Sequence, residues 1–417
     1  MENDPWSEEI NLKPQETLRF KCSENTSLIM TQGLSEIYGS EFPRDNSVNF
    51  PTNFEGSLIT FVGCTYRYRA ANFPYYIVKF DEDSFCYNVY LNIHSGLETK
   101  RNVCSNRGPR VMICGGRNAG KKNLSQTLVN YRIRNFGEIV FVDTNVSDNS
   151  ICIPGSLAAL IVTQAYDVTD GWHINDQPLI INFGHLSPMD DLELYKLQLK
   201  TLSGFVNDKM TNNAKLNRSG IILNSSAFED EKYPEFTRDR RVELLLENIY
   251  LFQIDHVIII EDLFLQKQIK EKLNSKISVV SIPRSSESFK RTEKTLFDYY
   301  QMKTTSYFEG QGIYRLHFKT FTLFTQDVSI YKFDEDIKEI DVKLKNPKLM
   351  RMSRYFRNSV LAVSQTCKVE DLYKTPIFGY IMITEVKKYL DKIKILTPSG
   401  MPVPLKTFLY TDFKMFL

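Results

Sequence analysis

Residues 111–131 combine a short apolar run, a glycine-rich turn and an amphipathic stretch. Val111-Met112-Ile113-Cys114 is apolar and flanked by Gly108 and Gly115, the pattern of a strand buried on both faces. Gly115-Gly116-Arg117-Asn118-Ala119-Gly120-Lys121 then has the spacing GxxxxGK. Leu124, Leu128 and Tyr131 follow at helical spacing. A strand, such a loop and a helix together form a phosphate-binding loop, which commits the surrounding chain to an α/β sheet. Glycines open backbone torsions closed to other residues, so successive N–H groups can converge on phosphate oxygens. A helix beginning near Asn123 aims its positive end at the same place. The candidate nucleotide-binding residues are Gly115, Gly116, Asn118, Ala119, Gly120, Lys121, Lys122 and Asn123.

The eighth position departs from a working loop. Ser or Thr belongs there, with its hydroxyl on Mg²⁺. This chain has Lys122, whose ammonium carries no lone pair and cannot ligate a metal. The motif therefore favours phosphate binding and argues against metal-assisted transfer. Candidate catalytic carboxylates, should the chain be active, are Asp143 and Asp148. Asp143 closes the apolar run Ile139-Val140-Phe141-Val142, read as a strand beside the phosphate-loop strand. Both also read as solvated turn residues. Asn182-Phe183-Gly184-His185 is a further candidate loop on the active face, although a lone His is more often structural. Lys290, Arg291 and Lys294 read as a basic lid, or as a solvated helical face interleaved with Glu287 and Glu293.

Around this loop the chain changes rhythm twice. Before residue 90, short strand-like runs separated by Gly33, Gly39, Pro43, Pro51 and Gly56 predict a small β-sandwich. A short connecting helix is expected from Leu91 to about Ser105. Strand and helix then alternate over residues 111–283, which predicts a parallel sheet with helices on both faces. Beyond residue 309 strand-like runs return. The expected architecture is α/β multidomain: an N-terminal β-sandwich (1–95), a central P-loop domain (96–308) and a small, mostly β C-terminal domain (309–417).

The full chain of 417 residues has a formal net charge of +2, so bulk charge does not point to nonspecific nucleic-acid binding. Its seven cysteines form no CxxC pair, so no metal site is expected. No run approaches the roughly 20 apolar residues that span a bilayer, and the acidic start lacks a signal core. A soluble, intracellular protein with no membrane partner is expected.

Several further segments carry a resemblance. Arg107-Gly108-Pro109-Arg110-Val111-Met112-Ile113 leads into the phosphate loop, followed by Asn130-Tyr131 and the turn at residues 150–155. With Leu34-Ser35-Glu36-Ile37-Tyr38-Gly39-Ser40-Glu41, Leu91-Asn92-Ile93-His94, Asn182-Phe183-Gly184-His185 and Gly379-Tyr380-Ile381-Met382-Ile383-Thr384, they resemble the Clp-type subunit of the mRNA cleavage and polyadenylation machinery. That family includes polynucleotide 5′-hydroxyl kinases. The resemblance runs in order along nearly the whole chain. It implies three domains, bound ATP or ADP with Mg²⁺ left open, and a nuclear role in a cleavage factor. It also implies protein partners, among them the scaffold subunit that binds the polymerase tail, with any RNA contact indirect.

The departures bear on activity. Active relatives carry Ser or Thr where Lys122 stands. They carry Asp where counting back from Pro154 gives Asn145, and Gln where this chain has Asp148. Their Thr-x-Gly-Trp clasp is replaced by Asn224-Ser225-Ser226-Ala227-Phe228. Metal ligand, base and clasp are altered together, which implies a non-catalytic, nucleotide-holding assembly subunit. The alternative is an active ATP-dependent polyribonucleotide 5′-hydroxyl kinase using Asp143 or Asp148.

Overall fold

The computed structural model describes residues 6–416 except 8, 53, 80–84, 169–170, 174–176, 229–233, 274–275, 286–292, 312–313, 334–347, 388–390, 399 and 401. Lys290 and Arg291 lie outside the described residues, and of Lys294 only the backbone is described.

The N-terminal region is two antiparallel sheets face to face. Its strands are β1 Ile10–Leu12, β2 Glu16–Lys21, β3 Thr26–Gly33, β4 Glu36–Ile37, β5 Ser40–Glu41, β6 Ser47–Phe50, β7 Glu55–Thr60, β8 Cys64–Arg69 and β9 Tyr75–Lys79. The orders are β1-β8-β3-β6 and β5-β4-β7-β2-β9. Leu18, Phe20, Leu28, Ile37, Phe50, Leu58 and Tyr66 fill the space between them. Each such side chain contributes about 1.5–3 kcal/mol on leaving water. The expected strands are present; β1, β5 and β6 are too short or too polar to stand out in the sequence.

Helix α1 (Phe85–Val103) begins six residues before the expected connecting helix. Tyr87, Tyr90 and Leu97 face the central sheet and supply its apolar stripe. The central domain follows with β10 Arg110–Gly115, α2 Lys121–Arg134, β11 Ile139–Asp143, β12 Ser156–Val162, β13 Leu179–Asn182, α3 Leu192–Thr211 and α4 Ala214–Ser219. It continues with β14 Ile221–Asn224, α5 Pro234–Leu251, β15 His256–Ile260, α6 Leu263–Lys272, β16 Ser278–Ile282 and α7 Glu293–Glu309. The sheet order is β13-β12-β11-β14-β10-β15-β16. Five neighbouring strands from β11 to β16 run parallel, as expected. Sequence reading missed β12 and β13, which add an antiparallel ladder at one edge.

Alternation along β10 divides the core. Val111 and Ile113 face α1 and α2, while Met112 and Cys114 face the other layer. That second layer runs on, without a polar break, into the C-terminal domain through Val360, Ala362, Tyr380, Met382 and Leu409. The C-terminal strands are β17 Gly310–Gln311, β18 Tyr314–Arg315, β19 Lys319–Phe324, β20 Ser329–Lys332, β21 Lys348–Leu349, β22 Ser359–Ser364, β23 Ile377–Lys387, β24 Lys392–Thr397 and β25 Thr407–Lys414. Seven of them form one sheet, β19-β24-β23-β22-β25-β20-β21, antiparallel except for the parallel β20–β25 pair.

Candidate functional site

The glycine-rich turn joins the end of β10 to the start of α2. Asn118 adopts φ 58° and Gly120 φ 95°, the left-handed backbone that lets the chain curl and reverse. Asn is among the few non-glycine residues that tolerate this region. Gly115 sits close under β15, where a Cβ would lie 3.1 Å from the Ile260 carbonyl, tighter than side chains usually approach. The helix starts at Lys121, two residues earlier than expected. Lys121 is buried, and its Nζ donates to the Gly115 carbonyl at 3.1 Å and the Gly116 carbonyl at 2.7 Å. Loop and lysine thus meet at a helix N-terminus, a setting that suits an anionic phosphate.

Lys122 points to different partners. Its Nζ lies 3.3 Å from Asp148 Oδ1 and 2.9 Å from the Tyr299 hydroxyl on α7. The Tyr299 hydroxyl in turn donates to the same Asp148 oxygen. Asp148, a candidate base, is therefore one corner of a Lys–Asp–Tyr cluster. Tyr299 carried no signal in the sequence, being 177 residues from Lys122.

Asp143, the other candidate, lies at the end of β11. That strand is not beside the phosphate-loop strand as expected, because β14 lies between them. Asp143 is fully buried, which pushes its carboxyl up to about 6 despite the donors around it. Those donors are Asn145 N at 3.0 Å, Ser150 N at 2.8 Å, Ser150 Oγ at 2.5 Å and Asn224 Nδ2 at 3.0 Å. Both oxygens hold the 143–150 loop closed, so Asp143 is not a solvated turn residue.

The stretch in place of the clasp is buried too. Ser225 N donates to the Ile113 carbonyl, and Ser226 Oγ to the Thr144 carbonyl at 2.9 Å. Phe228 is fully enclosed, with its ring 5.7 Å from Tyr195. Ser225, Ser226 and Phe228 are core, not an open surface. Asn182-Phe183-Gly184-His185 is corrected likewise. β13 is the edge strand, with three others between it and β10, so this loop meets the C-terminal domain rather than the phosphate loop. His185 Nδ1 and Asp412 Oδ2 share a short hydrogen bond, and Asp412 N donates to the Gly184 carbonyl.

Three family models together account for almost the whole chain. They are the N-terminal beta-sandwich domain of polyadenylation factor over residues 11–104, the mRNA cleavage and polyadenylation factor CLP1 P-loop over 115–310, and the pre-mRNA cleavage complex II protein Clp1 over 316–415. The chain belongs to the Clp1 family. Among Clp1 relatives, the protein clpf-1 of Caenorhabditis briggsae is 26% identical over 97% of this chain and 96% of its own length. The human polyribonucleotide 5′-hydroxyl-kinase Clp1 is 25% identical over 97% of this chain and 96% of its own. A solved Clp1p structure, described with its extended Pcf11p interface and with ATP loss in a glycine-to-arginine mutant, superposes with a TM-score of 0.86 at 18% identity. It covers 98% of this chain and 99% of that one. The Clp1 fold, with its β-sandwich, P-loop domain and mostly β C-terminal domain, is thus the fold of this chain.

The P-loop helix of this Clp1 chain also forms the seat of the β-sandwich. Arg134 on α2 donates to Glu36 Oε2 at 2.5 Å and to Glu41 Oε1 at 2.7 Å, and the Tyr131 hydroxyl donates to Glu36 Oε1. Asn130 Nδ2 donates to the Tyr38 carbonyl at 2.8 Å. Sequence reading marked residues 34–41 only for their resemblance. Their docking role has no local signal, because the partners lie about a hundred residues away.

Proposed function

We propose that this chain is a non-catalytic, nucleotide-holding assembly subunit of the nuclear mRNA 3′-end cleavage and polyadenylation complex. ATP or ADP is held by the backbone of Gly115, Gly116, Asn118, Ala119 and Gly120, by Lys121, and by the first turn of α2 at Lys122 and Asn123. Domain boundaries near residues 95 and 308 accompany this reading; the first falls within α1 (Phe85–Val103), whose Tyr87, Tyr90 and Leu97 pack on the central sheet. The single observation that carries the reading is Lys122. Where a kinase needs a hydroxyl for Mg²⁺, an ammonium is pinned by Asp148 and Tyr299. The buried, hydrogen-bonded Asp143 and the enclosed 224–228 stretch support it further. A Pcf11-type scaffold is the expected protein partner, and any contact with RNA is indirect.

To test it, freshly purified protein is denatured and the released nucleotide identified by chromatography. About one unhydrolysed ATP per chain is expected. An empty protein that also shows no thermal shift on adding ATP rejects nucleotide holding.

One observation favours a second reading. The Gly120-Lys121 pair is intact, and curated relatives carry the name polyribonucleotide 5′-hydroxyl-kinase. An active kinase would label a 5′-hydroxyl oligoribonucleotide from γ-labelled ATP at high enzyme and Mg²⁺. No label is expected here.

A further inference from the structure

Lys122 is held as a fixed charge rather than a waving surface lysine. It sits in the first turn of α2 next to Lys121, with its side chain 18% exposed. Two oxygens anchor the ammonium: Asp148 Oδ1 at 3.3 Å and the Tyr299 hydroxyl at 2.9 Å. The contacts come from two segments, the loop after β11 and α7, and hold them to α2.

The same residues give Mg²⁺ no fit. That ion requires oxygen lone pairs in near-octahedral array. Lys122 offers none, and Asp148 Oδ1 already accepts from Lys122 and Tyr299. Both Asp143 oxygens are occupied by donors. Among the described residues, no group of three or more His, Cys, Asp or Glu could hold a metal. A divalent ion beside this ammonium would also meet a like charge.

We infer that Lys122 is a resident cation that replaces the divalent ion, so this chain takes nucleotide phosphates without metal. The inference rests on the nucleotide-holding reading. Lys121 and Lys122 are then the two cations at the phosphate end, and Asp148 serves to place one of them rather than to coordinate Mg²⁺. Tyr299 extends the arrangement. On the same helix α7, Gln301 Nε2 donates to the Lys414 carbonyl at 2.7 Å, and the Tyr307 hydroxyl accepts from Tyr380 N at 2.9 Å. Lys122, next to Lys121 in the first turn of α2, is thereby tied to the helix that carries the chain into the C-terminal sheet.

The test is a calorimetric titration of the full chain with ATP, after nucleotide and divalent ions have been stripped, once in EDTA and once in excess Mg²⁺. Equal affinity in the two buffers is expected for the wild-type chain. Lys122→Ser should become metal-dependent, binding about tenfold tighter with Mg²⁺ than in EDTA. If Mg²⁺ tightens wild-type binding about tenfold or more, the inference is overturned while nucleotide holding stands. If ATP binds in neither buffer, both fall. Should Lys122→Ser melt early, Lys122→Met keeps the stem and removes the charge. Its affinity in EDTA should drop about tenfold, and an unchanged affinity counts against the inference.

Discussion

The P-loop domain is held on two sides by different chemistry. On the N-terminal side, the β-sandwich docks through a buried carboxylate, Glu36, facing Arg134 and Tyr131 of α2. On the C-terminal side, the apolar core runs straight through, with the Tyr380–Asn182 hydrogen bond inside it and the His185–Asp412 pair at its edge. One joint rests mainly on directional bonds, the other mainly on volume and shape. Directional joints fail when one partner is removed, because the other is left buried and unpaired. Apolar joints fail when a cavity is opened.

Cutting the apolar joint should have the largest effect. Tyr380 is 1% exposed, packs its ring on Tyr307 at 5.8 Å and donates its hydroxyl to Asn182 Oδ1 at 3.2 Å. Tyr380→Ala should cost about 3–5 kcal/mol, read as a fall in the denaturant midpoint together with protease sensitivity of the C-terminal sheet. A loss under about 1 kcal/mol would mean that the joint does not depend on this core. Next is Arg134→Met, which keeps an apolar stem of similar length and leaves Glu36 Oε2 without its arginine. About 3 kcal/mol is expected, appearing first as faster hydrogen exchange in residues 34–41. Equal protection in mutant and wild type would show that packing alone seats the sandwich.

What the sequence disclosed follows the same division. Elements with a local signal were legible: β10 by its apolar run, the phosphate loop by its spacing, and Lys122 by what it lacks. Features made by distant pairing were not. Asp143 gave no hint that four donors would enclose it, since Asn224 comes from a strand 81 residues away. Tyr299 sits in an ordinary helix, and only the tertiary fold brings it to Lys122. The strands β12 and β13 stayed hidden because the parallel-sheet rhythm left no place for an antiparallel edge. His185 drew notice for its chemistry, but its position at the sheet edge makes it part of a domain joint.

The finest test of the contrast is pH, because the two joints carry carboxylates displaced in opposite directions. Burial lifts the Glu36 carboxyl above its ordinary range, and its hydrogen bonds to Tyr131 and Arg134 offset only part of that. Burial acts the same way on Asp412, but the His185 hydrogen bond and charge and Lys332 outweigh it, leaving that group below its ordinary range. The signs then differ. Between its unfolded and its raised folded pKa, Glu36 holds more proton folded than unfolded, so its joint gains stability as pH falls through that window. Asp412 does the reverse. Its contribution is complete above the ordinary carboxylate range and is lost as pH falls through its lowered folded value. Asp412 is more than a third exposed, so solvent screening keeps its share to about 0.5–1 kcal/mol. Hydrogen exchange measured between pH 7 and pH 3, each joint corrected for intrinsic rates, should show residues 34–41 gaining protection relative to residues 407–414. Glu36→Gln should flatten the first trend and Asp412→Asn the second. If both joints loosen together on acidification, the contrast in their electrostatics is wrong, and shape complementarity governs both.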